Sequence, residues 1–209
     1  MQSSLAGNRE CRCTRPHVPR LVAVTGGPGA GKTAVLEVAR RIYCSHVLVL
    51  PESATIVYGG GFPRLDTPAA KRRAQIAIAH IQDQMERIEL DEGRAGLVIC
   101  DRGILDGLAY WPYDETSYFH EVHLGRAEAL ARYAAVLHLR PPADGHGYDH
   151  DNRLRIETAR EAADIDARIE RAYAGHPDRH FVDSTADFID KIATATAILD
   201  RYVPACCRS

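Results

Sequence analysis

The chain has 209 residues, with 26 Lys and Arg against 28 Asp and Glu, for a formal net charge of −2. That balance gives no broad electrostatic footprint for nucleic acid, so no nucleic-acid partner is expected, while 45% hydrophobic residues suffice for one globular core. No run approaches the roughly 20 apolar residues that cross a bilayer. Residues 1–20 lack the apolar centre of a secretory leader, so a cytoplasmic protein without membrane contact is the expectation.

Residues 1–19, polar and holding Pro16 and Pro19, read as a disordered tail ahead of a folded domain at 20–203, with 204–209 as a C-terminal tail. Residues 21–25 form a continuous apolar run, the pattern of a strand buried on both faces. Glycines follow at once, and then Val35, Val38, Ala39 and Ile42 recur at helical spacing. A second buried strand at 47–50 ends on Pro51-Glu52, and residues 59–64 (Gly-Gly-Gly-Phe-Pro-Arg) form a loop. From Pro68 to about Glu92 the spacing predicts a long helix with Ile76, Ala79, His80 and Asp83 on one stripe. A third strand at 96–100 ends on Asp101-Arg102-Gly103, helix resumes over about 117–132, and a fourth strand spans 134–139.

Residues 140–152, rich in Pro, Gly, His and Asp, read as an exposed loop. Leu154, Thr158, Ile165, Ile169 and Tyr173 then share a helix face, residues 180–182 form a fifth strand, and Ser184 is expected to cap a closing helix with Phe188, Ile192 and Ile198. Buried strands alternating with helices predict an α/β protein of three layers, a five-stranded parallel sheet with helices on both faces.

The octapeptide Gly26-Gly27-Pro28-Gly29-Ala30-Gly31-Lys32-Thr33 fits Gly-x-x-x-x-Gly-Lys-[Ser/Thr]. The backbone of Gly26, Gly27, Gly29, Ala30 and Gly31 can turn its N–H groups around a polyphosphate, and the following helix aims its positive end at the anion. Lys32 would reach the β/γ oxygens and Thr33 would coordinate Mg²⁺. The guanine-reading Asn-Lys-x-Asp and the transporter Leu-Ser-Gly-Gly are absent, and a ring-forming motor's second domain does not fit this length. A small-molecule kinase plan remains.

On that plan strand-end carboxylates face the ligand crevice. Asp101 is a second candidate metal residue and Arg102 a phosphate or acceptor ligand, with Asp106 on the same side; a helix cap is the plain alternative for Asp101. Glu52 at the exit of the second strand is a candidate general base, or else a cap for the helix starting at Ser53. A lid at about 140–155 would carry Arg140, Arg153 and Arg155 over the nucleotide, unless these pair with Glu157 and Asp151 on a solvated face. Arg64 and Gln82 are candidate acceptor contacts, against a plain flexible turn for 59–64 and a solvated position for Gln82. His146 and His150, with Asp149 and Asp151, read as solvated rather than metal-binding. Cys44 and Cys100 read as small buried hydrophobes. The close pairs Cys11/Cys13 and Cys206/Cys207 lack Cys-x-x-Cys spacing, and reduced thiols are the expectation.

Residues 26–33, Pro-Glu-Ser-Ala-Thr at 51–55 and residues 59–64 belong to a longer set of motifs. Asp-Arg-Gly-Ile-Leu-Asp-Gly-Leu-Ala-Tyr at 101–110, Arg-Leu-Arg-Ile-Glu at 153–157 and His-Pro at 176–177 complete it. Together they resemble a stand-alone bacterial AAA-like ATP-binding P-loop family, related to ribosylnicotinamide kinases and to nucleoside and nucleotide kinases. The resemblance covers about residues 20–200. It implies a nucleotide-kinase-like sheet, ATP or GTP as donor, Mg²⁺, and transfer of the γ-phosphoryl group to a hydroxyl of a nucleoside-like or other small metabolite. By motif position Lys32, Glu52, Asp101, Arg102 and Arg153 would be catalytic and Arg155 part of the lid, in a monomer or homodimer. Asp-Arg-Gly stands where deoxynucleoside kinases have Glu-Arg-Ser, so their acceptor contacts do not carry over. The alternative is an ATP- or GTP-hydrolysing switch acting through a partner protein.

Overall fold

The computed structural model describes residues 11, 13, 14, 16–142, 159–184 and 187–207. In chain order it has β1 (Arg20–Thr25), α1 (Lys32–Ile42), β2 (Val47–Leu50), α2 (Ser53–Gly59), α3 (Pro68–Glu92) and β3 (Leu97–Asp101). A 3₁₀ turn (Ile104–Ala109), α4 (Glu115–Val122), α5 (Arg126–Ala131), β4 (Tyr133–Leu139), α6 (Ala159–Ala172), β5 (Arg179–Val182) and α7 (Phe188–Leu199) follow. The strands form one sheet in the order β2-β3-β1-β4-β5, with every pairing parallel. The fold is therefore the expected three-layer P-loop α/β arrangement.

The apolar runs explain the layering. Alternate residues of a strand face opposite sides, so an unbroken Val/Leu/Ile run needs a cover on both. Leu21 and Ala23 of β1 pack with Val98 and Cys100 of β3 into a core that also takes Leu105, Tyr118, Ile169 and Tyr173. Val22 and Val24 pack with Leu97 and Ile99 against Val35, Leu36, Ala39, Ala195 and Leu199, which places α1 and α7 on the other face. Each fully buried Val, Leu or Ile is stabilised by about 1.5–3 kcal/mol relative to exposure. Central β1 ends between β3 and β4, so the loop after it opens in the crevice at the C-terminal edge of the sheet.

Three local expectations are corrected. The helix at 117–132 is two, because His123 takes a left-handed conformation (φ 54) that stops α4, whose start is set by Asp114 accepting from Ser117 N. The closing helix is capped by Asp187, which accepts from Ile189 N, and Ser184 lies upstream of the cap. The buried stripe of α3 runs through Gln75, Ala79, Gln82, Glu86 and Glu89, and His80 is exposed. A rule that seeks apolar residues misplaces this stripe, because its centre is charged. Glu86 is fully buried and in ion-pair contact with Arg132 Nε, though not aligned as a hydrogen bond, and it accepts from Gln82 Nε2 (2.7 Å) and Tyr133 OH (2.9 Å). Leu154 and Thr158 lie outside the described residues, as do His146, His150, Asp149, Asp151 and Glu157. Among the described residues no helix is long and apolar enough to cross a membrane.

Removing one member of a buried ion pair leaves the other charge without compensation, at a cost of about 3–5 kcal/mol. Glu86→Ala should lose stability toward the lower end of that range in urea unfolding, because Asp83 still pairs with Arg132 (2.6 Å). A loss below about 1 kcal/mol, the range of an exposed pair, would show that the network contributes little.

Candidate functional site

The phosphate loop is shaped by two backbone demands. Gly26 has φ 130, and a Cβ there would lie 2.0 Å from the Leu139 carbonyl oxygen, so any side chain would force the loop off the end of β4. Gly31, at φ 87, caps α1 with no side chain of its own, which leaves the first-turn N–H groups of an eleven-residue helix open to an anion. Lys32, the first residue of α1, folds back over the loop and donates to the Gly26 (2.8 Å) and Gly27 (2.9 Å) carbonyls. Burial and then the Arg102 guanidinium pull its ammonium down to about 7, although Asp101, Glu52 and Asp106 pull the other way. Thr33, next in the helix, is exposed, whereas Ala30 is buried.

Three strand ends converge beside the loop. Arg102, just past β3, has φ 71, the left-handed region uncommon for a side-chain-bearing residue. That turn sends its guanidinium to Glu52 Oε1 (2.6 Å), to the Gly26 carbonyl (3.2 Å) and to Asp106 Oδ1 (3.0 Å). Glu52 occupies the first position before α2, but its carboxylate caps no backbone N–H; it accepts from Arg102 and from Thr55 Oγ1 (2.6 Å). Burial raises its pKa, yet Arg102, the Thr55 hydroxyl and Lys32 outweigh that and bring it to about 2. Asp101 behaves oppositely. Burial and the Glu52 charge push it up to about 6 against Lys32 and Arg102, and among the described residues nothing hydrogen-bonds its carboxylate.

The structure therefore brings Gly26, Gly27, Lys32, Glu52, Arg102 and Asp106 together, with Asp101 electrostatically coupled to them. Asp106, a candidate acceptor contact, has both carboxylate oxygens engaged by protein groups. It is buried, with Oδ1 taken by Thr25 Oγ1 (2.6 Å) and Arg102, and Oδ2 by Gly103 N (3.1 Å) and Tyr173 OH (2.7 Å). Gln82 is buried rather than solvated, and its Nε2 donates to Glu86 in the core. Arg64 stacks over the Tyr58 ring at 5.0 Å. Arg140 lies 4.6 Å over Phe181 and reaches Asp183 (3.2 Å) and Glu170 (3.4 Å). Arg153 and Arg155 lie outside the described residues.

Two contacts have no local sequence signal. Asp166 of α6 accepts from Gly27 N (2.6 Å) and contacts His138 (2.9 Å), 139 residues from the loop it props. Phe188 at the start of α7 sets its ring against Gly31, 2.8 Å from where a Cβ would be, with 48% of the residue exposed.

A family model described as an AAA domain matches residues 21–191. No curated protein matches the chain. Among solved structures, a NadR protein in complex with NR is similar at 17% identity and a TM-score of 0.69, over 90% of this chain and 52% of that one. Deoxyadenosine kinase from M. mycoides with bound dATP is similar at 15% identity and TM-score 0.59, over 87% and 99%. Thymidylate kinase from Ehrlichia chaffeensis is similar at 16% identity and TM-score 0.58, over 88% and 97%. The chain spans about half the length of the NadR protein and nearly all of the two kinases. At such identities the likeness is one of fold.

The two shifted groups have opposite signs. At pH 8 a Lys32 ammonium at about 7 is mostly neutral, and a triphosphate beside it would raise its pKa, so binding should take up protons. At pH 6 Lys32 is already charged and Asp101, at about 6, should give up protons as a cation arrives. Calorimetry of a magnesium nucleoside triphosphate in buffers of different ionisation enthalpy should show uptake at pH 8 and release at pH 6. Asp101→Asn should lose the release alone.

Proposed function

We propose a function from one settled premise: this chain belongs to the AAA domain family. It is an ATP- or GTP-dependent phosphotransferase that moves the γ-phosphoryl group to a hydroxyl of a nucleoside-like or other small metabolite. The observation that carries the reading is the convergence of the Glu52 carboxylate and the phosphate loop on one guanidinium, Arg102, which spans Glu52 Oε1 and the Gly26 carbonyl. A carboxylate fixed beside the phosphate loop can take the proton of an attacking hydroxyl, which suits transfer to such an acceptor.

In this reading the first-turn N–H groups of α1 and the Lys32 ammonium bind the polyphosphate. Arriving phosphates replace the Gly26 and Gly27 carbonyls as partners of Lys32 and raise its pKa, so the ammonium is charged when the γ-phosphoryl group is transferred. Glu52, ionised at any physiological pH, accepts the proton of the attacking hydroxyl at its carboxylate and returns it to solvent. Arg102 positions Glu52, and Asp106 positions Arg102. The Thr33 hydroxyl and the Asp101 carboxylate fit Mg²⁺: both are hard oxygen donors, and Asp101 is a carboxylate that no described residue hydrogen-bonds and whose charged form its surroundings disfavour. The ion, when bound, neutralises charge on the phosphates.

In the same reading Arg64, on the loop between α2 and α3, meets an anionic or polar group of the acceptor, and the segment at 140–155, with Arg153 and Arg155, is the lid. The fold shared with deoxyadenosine and thymidylate kinases supports a nucleoside-like acceptor. A cytoplasmic monomer or homodimer belongs to the same proposal. The folded domain is taken as 20–203, with tails on either side.

Incubating the purified chain with MgATP or MgGTP and a nucleoside panel should give a phosphorylated acceptor. Release of free phosphate alone with every acceptor would favour the nucleotide-dependent switch. Glu52→Gln should leave nucleotide affinity intact and slow transfer about 10²–10⁴-fold, the usual range for a lost general base. Lys32→Ala should abolish nucleotide binding.

A further inference from the structure

At the pole of the sheet opposite the phosphate loop, three separate stretches of chain bring their sulfurs and imidazoles together. Cys44 and His46 lie in the turn entering β2, Cys206 and Cys207 in a short 3₁₀ turn (Ala205–Cys207) after α7, and Cys11, Cys13 and His17 in the segment that leads into β1. Two groups result, Cys11–Cys44–His46–Cys207 and Cys13–His17–Cys206, and within each the ligand atoms all lie within 4.8 Å of one another. All six cysteines are free thiols.

The spacing is that of a coordination shell. A tetrahedral zinc ion with Zn–S of about 2.3 Å and Zn–N of about 2.0–2.1 Å has sulfur–sulfur edges of about 3.8 Å and sulfur–nitrogen edges of about 3.5 Å. Cys11 Sγ and Cys207 Sγ are 4.0 Å apart, and Cys207 Sγ is 3.5 Å from His46 Nδ1. A disulfide would bring the sulfurs to about 2.05 Å. The approach of the terminal segments is also built into the backbone. A Cβ on Gly96, the residue before β3, would sit 2.4 Å from Pro204 Cγ and 3.2 Å from His17 Cβ, so both segments cross the sheet where only glycine leaves room. The His17 and His46 rings meet edge-on at 4.6 Å, and the His46 carbonyl accepts from Gly96 N (2.9 Å) and Leu97 N (3.2 Å). The ligand-bearing turn is thereby held to the start of β3.

We propose that Cys11, Cys44, His46 and Cys207 bind a structural zinc ion. Three thiolates and one imidazole close a tetrahedron with no position left for substrate, which suits a structural ion, and ligands in catalysis enter at the other end of a parallel sheet. Binding forms three Zn–S bonds and one Zn–N bond and releases the three thiol protons to solvent. Cys13, His17 and Cys206 form a neighbouring three-ligand set, with Cys206 Sγ 3.4 Å from Cys207 Sγ, so wild-type zinc content can reach two ions per chain and the equivalents lost on mutation decide.

The full chain, expressed with zinc and dialysed without chelator, should retain metal by plasma mass spectrometry. The doubly substituted Cys44→Ser, His46→Ala chain should retain one equivalent less. Should that variant fail to fold, cobalt substitution of the Cys13→Ser, Cys206→Ser chain, which keeps only the proposed four ligands, decides: thiolate-to-cobalt charge-transfer bands with strong tetrahedral d–d absorption are expected. Equal zinc in folded wild type and variant, or a cobalt spectrum without thiolate bands, overturns the proposal. None of these readouts depends on phosphotransfer.

Discussion

One buried cation ties the working end of this molecule together. Water would solvate the Arg102 guanidinium well, so its burial needs replacement acceptors, and it finds them in Glu52 after β2, Asp106 in the 3₁₀ turn and the Gly26 carbonyl after β1. Each partner fixes a different element, and Asp106 is itself fixed by Thr25, Gly103 and Tyr173. Without this charge, Glu52, Asp101 and Asp106 would surround Lys32 with an excess of carboxylates. The left-handed backbone at Arg102 follows from the same requirement, since a residue leaving β3 in extended form would not turn its side chain back across the sheet.

The resulting electrostatics divide two neighbouring carboxylates into different states. Glu52 has a guanidinium and a hydroxyl at its oxygens and stays charged; Asp101, coupled to the same cations but hydrogen-bonded to no described residue, drifts toward neutrality. Geometry one strand apart is enough to assign them different chemistry.

Most of the sheet and its loops could be read from the chain. The strands announce themselves as uninterrupted apolar runs, and the loop at 26–33 carries glycines where the backbone needs them. The identity of the residues meeting there was legible too, because parallel strands deliver their last residues to one edge. What escaped reading arises from contacts distant in sequence. Asp166 props Gly27 from 139 positions away, Tyr173 reaches Asp106, and Gln82 donates to the buried Glu86. The cysteines were missed for a related reason. Spacing rules look for ligands on one short stretch, and here Cys11, Cys44 and Cys207 meet only through the fold.

That meeting has a topological side. Cys11 and Cys207 are 196 positions apart, yet their sulfurs are 4.0 Å from each other, so the described ends of the chain nearly close a ring. Ring closure restricts the unfolded chain, and its entropic effect grows only with the logarithm of the loop. Bridging the two ends would confine almost the entire polypeptide for little more than a loop half as long would require. A permuted chain, opened at a surface turn and spliced across this seam, would keep the same sheet order.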